Sequence, residues 1–231
     1  MKNNVVENNN DNALHSFLFA SKTKPYAAID MLFSALLPVS KPLRLEIGAE
    51  LPLGVKKEDA VVVLLQDGIG SFCHKESQMH ISTVFAPSIM GLIDGYALTY
   101  EAENWPQHYL LAETRCLGRT VALNDFIRIA REQDLWHEVV HILAHRLLYM
   151  SARSKEMIGV DSYIKVRALL IEVWAYPENY RSQISILNFI QRRTALSRSR
   201  ILKILSELKK GGYIDIEVGR LINLYKLPLA Y

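Results

Sequence analysis

A chain of 231 residues, half of them hydrophobic, has room for one large core or two small ones, and two fit it best. Its longest uninterrupted apolar run, residues 60–65, is far short of the ~20 residues of a membrane span, and its two cysteines are too few for a disulfide framework or a CxxC metal site. The net charge of +3 is uneven: residues 152–231 carry 14 Lys/Arg against 7 Asp/Glu, and residues 1–151 carry 13 against 17, so a basic partner-binding surface belongs to the C-terminal part.

The opening MKNNVVENNNDN lacks an apolar signal core and predicts a disordered polar tail over residues 1–22, hence a cytoplasmic location and no membrane partner. Apolar side chains at Ile29, Leu32, Phe33, Leu36 and Leu37 predict a short helix over 26–37 that ends before Pro38. Strands follow. Residues 43–47 alternate, 60–65 form a buried strand, Gln66-Asp67-Gly68 supplies a turn, and 69–73 and 80–85 make a hairpin around 74–78. Pro87 and Gly91 break the chain, and 109–113 and 119–122 offer further strands. Many short, evenly spaced strands predict a small barrel or jelly roll over 23–132. Within it Cys73 and Cys116 read as buried free thiols, with a redox-sensing pair as the alternative.

From Asn124 the period turns helical: Asn124 or Asp125 is placed to cap a helix through Arg131, and a longer helix runs from about residue 135 to 157, within a segment bounded at 133–158. On it Trp136, Val140, Leu143, Leu147 and Met150 step by 4, 3, 4 and 3, a coiled-coil seam, while Leu135, Val139 and Ile142 form a second line facing the roll. The seam predicts pairing with the same helix of a second copy, packing within one chain being the alternative. The same helix carries His137-Glu138-Val139-Val140-His141, the pattern in which two histidines one turn apart bind zinc and the glutamate activates water. A zinc-dependent hydrolase is therefore a rival reading. His145 lies four residues past His141, so three histidines share one face and cannot close a tetrahedron around one ion unaided. Solvated or interface histidines are the plainer reading, and neither metal, cofactor nor catalytic residue is expected.

The last segment, 159–231, holds the densest signal. Ser197 is placed to cap a helix, Ile201, Ile204, Leu205 and Leu208 make its buried stripe, and Ser199, Lys203, Ser206 and Lys210 lie opposite. Arg198 and Arg200 project from its first turn. Gly211-Gly212 ends the helix; Tyr213, Ile214, Ile216 and Val218 form a strand, Gly219-Arg220 a tight turn, and Leu221, Ile222, Leu224 and Tyr225 the returning strand. Helix, two strands and a basic tip make a winged helix. Residues 181–210 carry eight Lys/Arg against one acidic residue, Glu207. A recognition helix reads base edges with its N-terminal residues, which makes Arg198, Ser199 and Lys203 the base-reading candidates; arginine and lysine match guanine, and serine either kind of base. Arg192, Arg193, Thr194, Ser197, Arg200, Lys210 and Arg220 are the candidates for phosphate contacts. A basic amphipathic helix with a solvated face is the bland alternative, and a winged helix that binds a protein rather than DNA is a third reading.

Ser197-Arg198-Ser199-Arg200-Ile201-Leu202-Lys203-Ile204-Leu205, followed by Leu208, Gly212, Tyr213 and Ile214, resembles the recognition helix and wing of the Crp/Fnr superfamily of bacterial transcription regulators. The order of parts agrees over about residues 26–228, and Asp67-Gly68 and residues 87–91 look like the turn glycines of the family's β-roll. The resemblance implies an α+β fold: a cyclic-nucleotide-binding-like roll, a long dimerisation helix and a C-terminal winged helix-turn-helix. It also implies double-stranded DNA as ligand, a homodimer, and RNA polymerase as a further partner, and it puts Arg198, Ser199 and Lys203 on the base-contacting positions. There are departures. Where cyclic-nucleotide-binding members have Gly-Glu and then Arg-Ser or Arg-Thr, this chain has Gly91-Leu92 and Pro106-Gln107-His108, so both the carboxylate and the phosphate-neutralising arginine are missing. The N-terminal cysteine cluster of the iron–sulfur members is missing too. Residues 189–194 lack the usual turn glycine, which leaves the register there open by one residue. The combination resembles an enterobacterial branch of the superfamily concerned with peroxide resistance, which implies a role in oxidative-stress gene control.

Overall fold

A strand without a polar position must be covered on both faces, and residues 60–65 are such a run. In the computed structural model, which describes residues 15–54, 56 and 58–229, this run supplies most of an inner strand, Val61–Asp67. The chain divides into two compact units: Pro25–Ala144, and His145–Tyr231 together with the N-terminal segment Met1–Lys24.

After α1 (Ser16–Lys22), which belongs to the other unit, the first unit runs through α2 (Tyr26–Leu36), a 3-10 turn (Leu37–Val39), β1 (Lys41–Leu45), β2 (Glu50–Pro52), β3 (Val61–Asp67), β4 (Ile69–His74), β5 (His80–Phe85), β6 (Ser88–Met90), α3 (Leu92–Thr99), β7 (His108–Ala112), β8 (Cys116–Ala122) and α4 (Leu123–Glu132). The expected roll is present as two four-stranded sheets, in orders β1-β8-β3-β6 and β2-β7-β4-β5, with every pairing antiparallel. Alternation along β3 explains its composition. Val63 and Leu65 join Leu45, Val84, Met90, Leu110, Ala112 and Cys116 in a core shared by both sheets. Val62 and Leu64 point the other way, into a second core with Ile29, Leu32 and Leu36 of α2 and Phe126 and Ile129 of α4. Gly91 leaves β6 with φ of 88°, where an added Cβ would collide with the Val61 carbonyl, so this corner admits only glycine.

Helix α5 (Trp136–Met157) starts in the first unit and passes into the second. Its line Leu135, Val139 and Ile142 is buried in the same core as α2 and α4, as its spacing predicts. The second unit continues with α6 (Ser162–Trp174), α7 (Glu178–Arg181), α8 (Ile186–Arg193), α9 (Arg198–Lys210), β9 (Ile214–Glu217) and β10 (Arg220–Leu224). Asp161 caps α6 by accepting the Ile164 amide at 2.9 Å. Inside, the Glu172 carboxylate accepts Arg153 Nη1 at 2.8 Å and the Tyr176 hydroxyl at 2.5 Å. Burial pushes its pKa up, but Arg153, Arg193 and the Tyr176 bond outweigh burial and hold it below the usual carboxylate value.

Three expectations are corrected, and two elements appear that the sequence did not announce. Residues 1–14 of the expected tail lie outside the described residues, but Ser16–Lys22 is a helix, held where Ser16 donates from its amide and hydroxyl to Glu156 at 2.7 and 2.6 Å and Phe17 packs edge-on to Tyr176. The polar run stops at Asn12, and the apolar signal of this helix, Phe17, Leu18 and Phe19, follows it. The N-cap of α4 is Ala122, one residue ahead of the helix, because β8 runs straight into it; Asp125 instead pairs with Arg128 at 3.1 Å. Strand β2 and helix α3 had no periodic signal, being three and eight residues long. The wing turn is Val218-Gly219, since Glu217 pairs with Arg220, so Arg220 opens β10.

Candidate nucleic-acid interface

Helix α9 is built as its pattern requires. Ser197 has extended backbone angles, and its Oγ accepts the Arg200 amide at 3.3 Å; the Ser199 hydroxyl lies 3.1 Å from the same oxygen. Ile201, Ile204, Leu205 and Leu208 are buried, which leaves Arg198, Ser199, Arg200, Lys203 and Lys210 exposed. The helix stops in a Schellman arrangement, with Tyr213 N–H to the Leu208 carbonyl, Gly212 N–H to that of Lys209, and Gly212 at φ of 71°. Lys209 Nζ donates to the Ile216 carbonyl at 3.1 Å and ties helix to wing. In the wing Asp215 accepts Asn223 Nδ2 and the Tyr225 hydroxyl, both at 2.9 Å, and this carboxylate raises the Tyr225 phenol's pKa.

Before α9 the chain turns without a glycine. Thr194 supplies the closure, donating its hydroxyl to the Ile190 carbonyl at 2.9 Å and accepting the Leu196 amide at 3.4 Å. This sets the register left open by the sequence: α8 ends at Arg193 and α9 begins at Arg198. Two phosphate candidates are thereby corrected. Thr194 is half-buried with its hydroxyl proton spent on the turn. Arg193 is buried; its guanidinium lies 3.4 Å from the Phe189 ring centroid, Nη1 donates to the Phe189 carbonyl at 3.2 Å, and its charge acts on Glu172. Arg192, one residue earlier, is exposed, because neighbouring helix positions lie ~100° apart.

The family described as winged helix-turn-helix DNA binding matches residues 162–229, which spans α6 to the end of the wing. The inhibitor of hydrogen peroxide resistance of Escherichia coli (strain K12) is 33% identical over 177 residues, 77% of this chain and 82% of that protein. Its namesake from Salmonella typhimurium is 34% identical over 151 residues, 65% of this chain and 70% of that one. Among solved structures, the c-di-GMP responsive global regulator CLP of Xanthomonas campestris superposes with a TM-score of 0.68 at 14% identity, covering 86% of this chain and all of that one. A CRP/FNR-family transcriptional regulator from Thermus thermophilus gives 0.60 at 14% identity, over 80% of this chain and 94% of the other. The chain belongs to the family of the inhibitor of hydrogen peroxide resistance, and its fold is that of these Crp/Fnr-type structures.

In the roll, Gly91-Leu92 opens α3, and the next charged side chain, Asp94, is wholly buried. Asp94 accepts the backbone amide of His108 and lies 3.1 and 3.2 Å from its Nδ1; Phe72 stacks on the His108 ring at 4.5 Å. A carboxylate and a histidine 14 residues apart carry no local pattern, so the sequence did not single them out as a pair.

On α5, Trp136, Val140, Leu147 and Met150 are exposed, from 40% to 69%, while Leu143 is half-buried against the roll's helical core. Four of the five seam residues thus stand on the surface of one chain. The zinc reading loses its third histidine: the His145 ring stacks on Phe19 and its Nε2 donates to the Ala20 carbonyl at 3.2 Å, while the His137 and His141 rings stand 6.5 Å apart. No group of three or more potential metal ligands is found among the described residues, and no helix among them is long and apolar enough to cross a membrane. Cys73 and Cys116 are buried. Burial first, with the nearby Asp67 and Glu113 charges, raises the Cys116 thiol's pKa and disfavours the reactive thiolate.

Proposed function

We propose that this regulator works in the cytoplasm as a homodimer, placing α9 of each copy in successive major grooves about one helical turn of DNA apart. The observation that carries this reading is the exposed first turn of α9, with Arg198, Ser199 and Arg200 beyond a capped N-terminus and Lys203 one turn on, backed by a fully buried stripe. Arg198 and Lys203 then face guanine edges and Ser199 either kind of base; Ser197, Arg192, Arg200, Lys210 and Arg220 hold the phosphates. The exposed seam on α5 supports the pairing of two copies. RNA polymerase is the further partner that the family suggests.

The roll does not take cyclic AMP in this reading. Support comes from Asp94 and His108: a phosphate would have to approach a buried carboxylate near Pro106-Gln107-His108, where the resemblance to cyclic-nucleotide-binding members implies an arginine. The name of the relatives points to genes of the peroxide response as targets, with Cys73 and Cys116 as a redox route in reserve. Selection from a random duplex pool, followed by affinity measurement at several salt concentrations, tests the central claim. A defined consensus with inverted half-sites and a steep loss of affinity with salt are expected, because phosphate contacts release counterions. No enriched consensus, or affinity that is flat with salt, would favour a protein partner instead.

A further inference from the structure

The wing ends in a two-residue loop, Val218-Gly219, with φ of 48° and 77°. Two positive φ values in such a loop are ordinarily met by asparagine followed by glycine. Gly219 fits this rule. Val218 does not, because its two γ-methyl groups crowd the backbone in the left-handed region, which β-branched residues avoid. The loop has no room to relax: the Ile186 amide at the start of α8 donates to the Gly219 carbonyl at 2.9 Å, and Glu217 pairs with Arg220 on either side. No contact among the described residues offsets the strain, since Val218 is 97% exposed. A lone exposed apolar side chain needs no explanation; one held in an unfavourable backbone conformation does. Glu217 stands opposite Arg220, so the tip has no net charge, and the group it presents is an isopropyl. Bonds to α8 (Ile186 to Gly219) and to α9 (Lys209 to Ile216) hold the wing to both helices of the turn.

We propose that Val218 is a DNA-contacting residue, packing its isopropyl group against the deoxyribose walls of the minor groove beside the groove that α9 enters. This rests on the DNA-binding reading above. Sugar C–H surfaces are the apolar part of a duplex, and burying the two methyls there is the gain that offsets the strained turn in the complex. Arg220, at the foot of the same turn, then takes the adjoining phosphate.

The test is Val218→Asn in the full-length protein, with the tightest duplex that the wild type selects from a random pool as probe. Asparagine suits the loop, so the thermal midpoint should rise, while affinity for the duplex should fall about five- to tenfold from the lost apolar contact. The salt dependence should stay as in the wild type, because no ionic contact is removed. Val218→Ile, which keeps both the strain and the apolar surface, should lose far less affinity than Val218→Asn. Wild-type affinity in Val218→Asn, or no rise in its thermal midpoint, overturns the proposal. A wild type that selects no duplex overturns the DNA-binding reading along with it, and the two failures are distinct because the first occurs in a protein that binds DNA.

Discussion

Leu147→Ala is the sharpest probe of dimerisation. Leu147 is 69% exposed in one chain, and full burial of a leucine is favourable by ~1.5–3 kcal/mol, so covering the exposed fraction contributes about 1.5 kcal/mol per copy. A two-fold interface uses each residue twice, which brings the loss on truncation to about 3 kcal/mol, or about 100-fold in the dimer dissociation constant. Sedimentation equilibrium over a dilution series reads that constant directly. Because Leu147 is hardly buried in the single chain, the thermal midpoint of the dissociated protein should scarcely move. Leu143→Ala should behave in the opposite way, lowering stability, since Leu143 packs on the roll's helical core. An unchanged dissociation constant in Leu147→Ala, or a wild type that stays monomeric into the micromolar range, would refute the seam.

Arg198→Ala should weaken binding to the selected duplex by about 1–3 kcal/mol and relax one base position, whereas Arg220→Ala should lower affinity for all sequences alike; unchanged sequence preference in Arg198→Ala would show that the register of α9 is wrong. Arg192 and Arg193 should part company: Arg192→Ala lowers DNA affinity without affecting folding, and Arg193→Ala, which removes the Phe189 contact and one of the two cations near buried Glu172 while Arg153 stays paired to it, lowers the thermal midpoint. Lys24 is pushed down to about 8 from its ordinary 10.5, first by burial and then by the neighbouring Arg146. The folded chain thus releases this proton before the unfolded chain does, so the penalty is full below pH 8 and fades as pH rises from about 8 to 10.5. Thermal melts over that range should converge on those of Lys24→Met, and parallel curves would contradict the assignment. Buried Cys73 and Cys116 should react slowly with a thiol reagent in the native protein and quickly once it is unfolded in guanidinium; rapid native reaction would reveal an accessible thiolate.

Sequence by itself determined the parts whose physics is local. The cap at Ser197, the stripe from Ile201 to Leu208 and the glycine stop are set by residues within one helix length of each other, and each is found where its spacing places it. The continuous run in β3 likewise announced burial on two faces. Tertiary structure decided what depends on contacts between distant segments. Arg193 and Arg192 are indistinguishable as letters, and only the position of Phe189 and Glu172 sends one inward and leaves the other on the surface. The turn before α9 lacks its expected glycine because a threonine hydroxyl closes it, a bond no composition rule reveals. Ser16 docks through Glu156, 140 residues away, and Asp94 pairs with His108 across a strand boundary. Periodicity reports which face of an element is apolar; which polar group on the other face finds a partner is settled only when the chain has closed on itself.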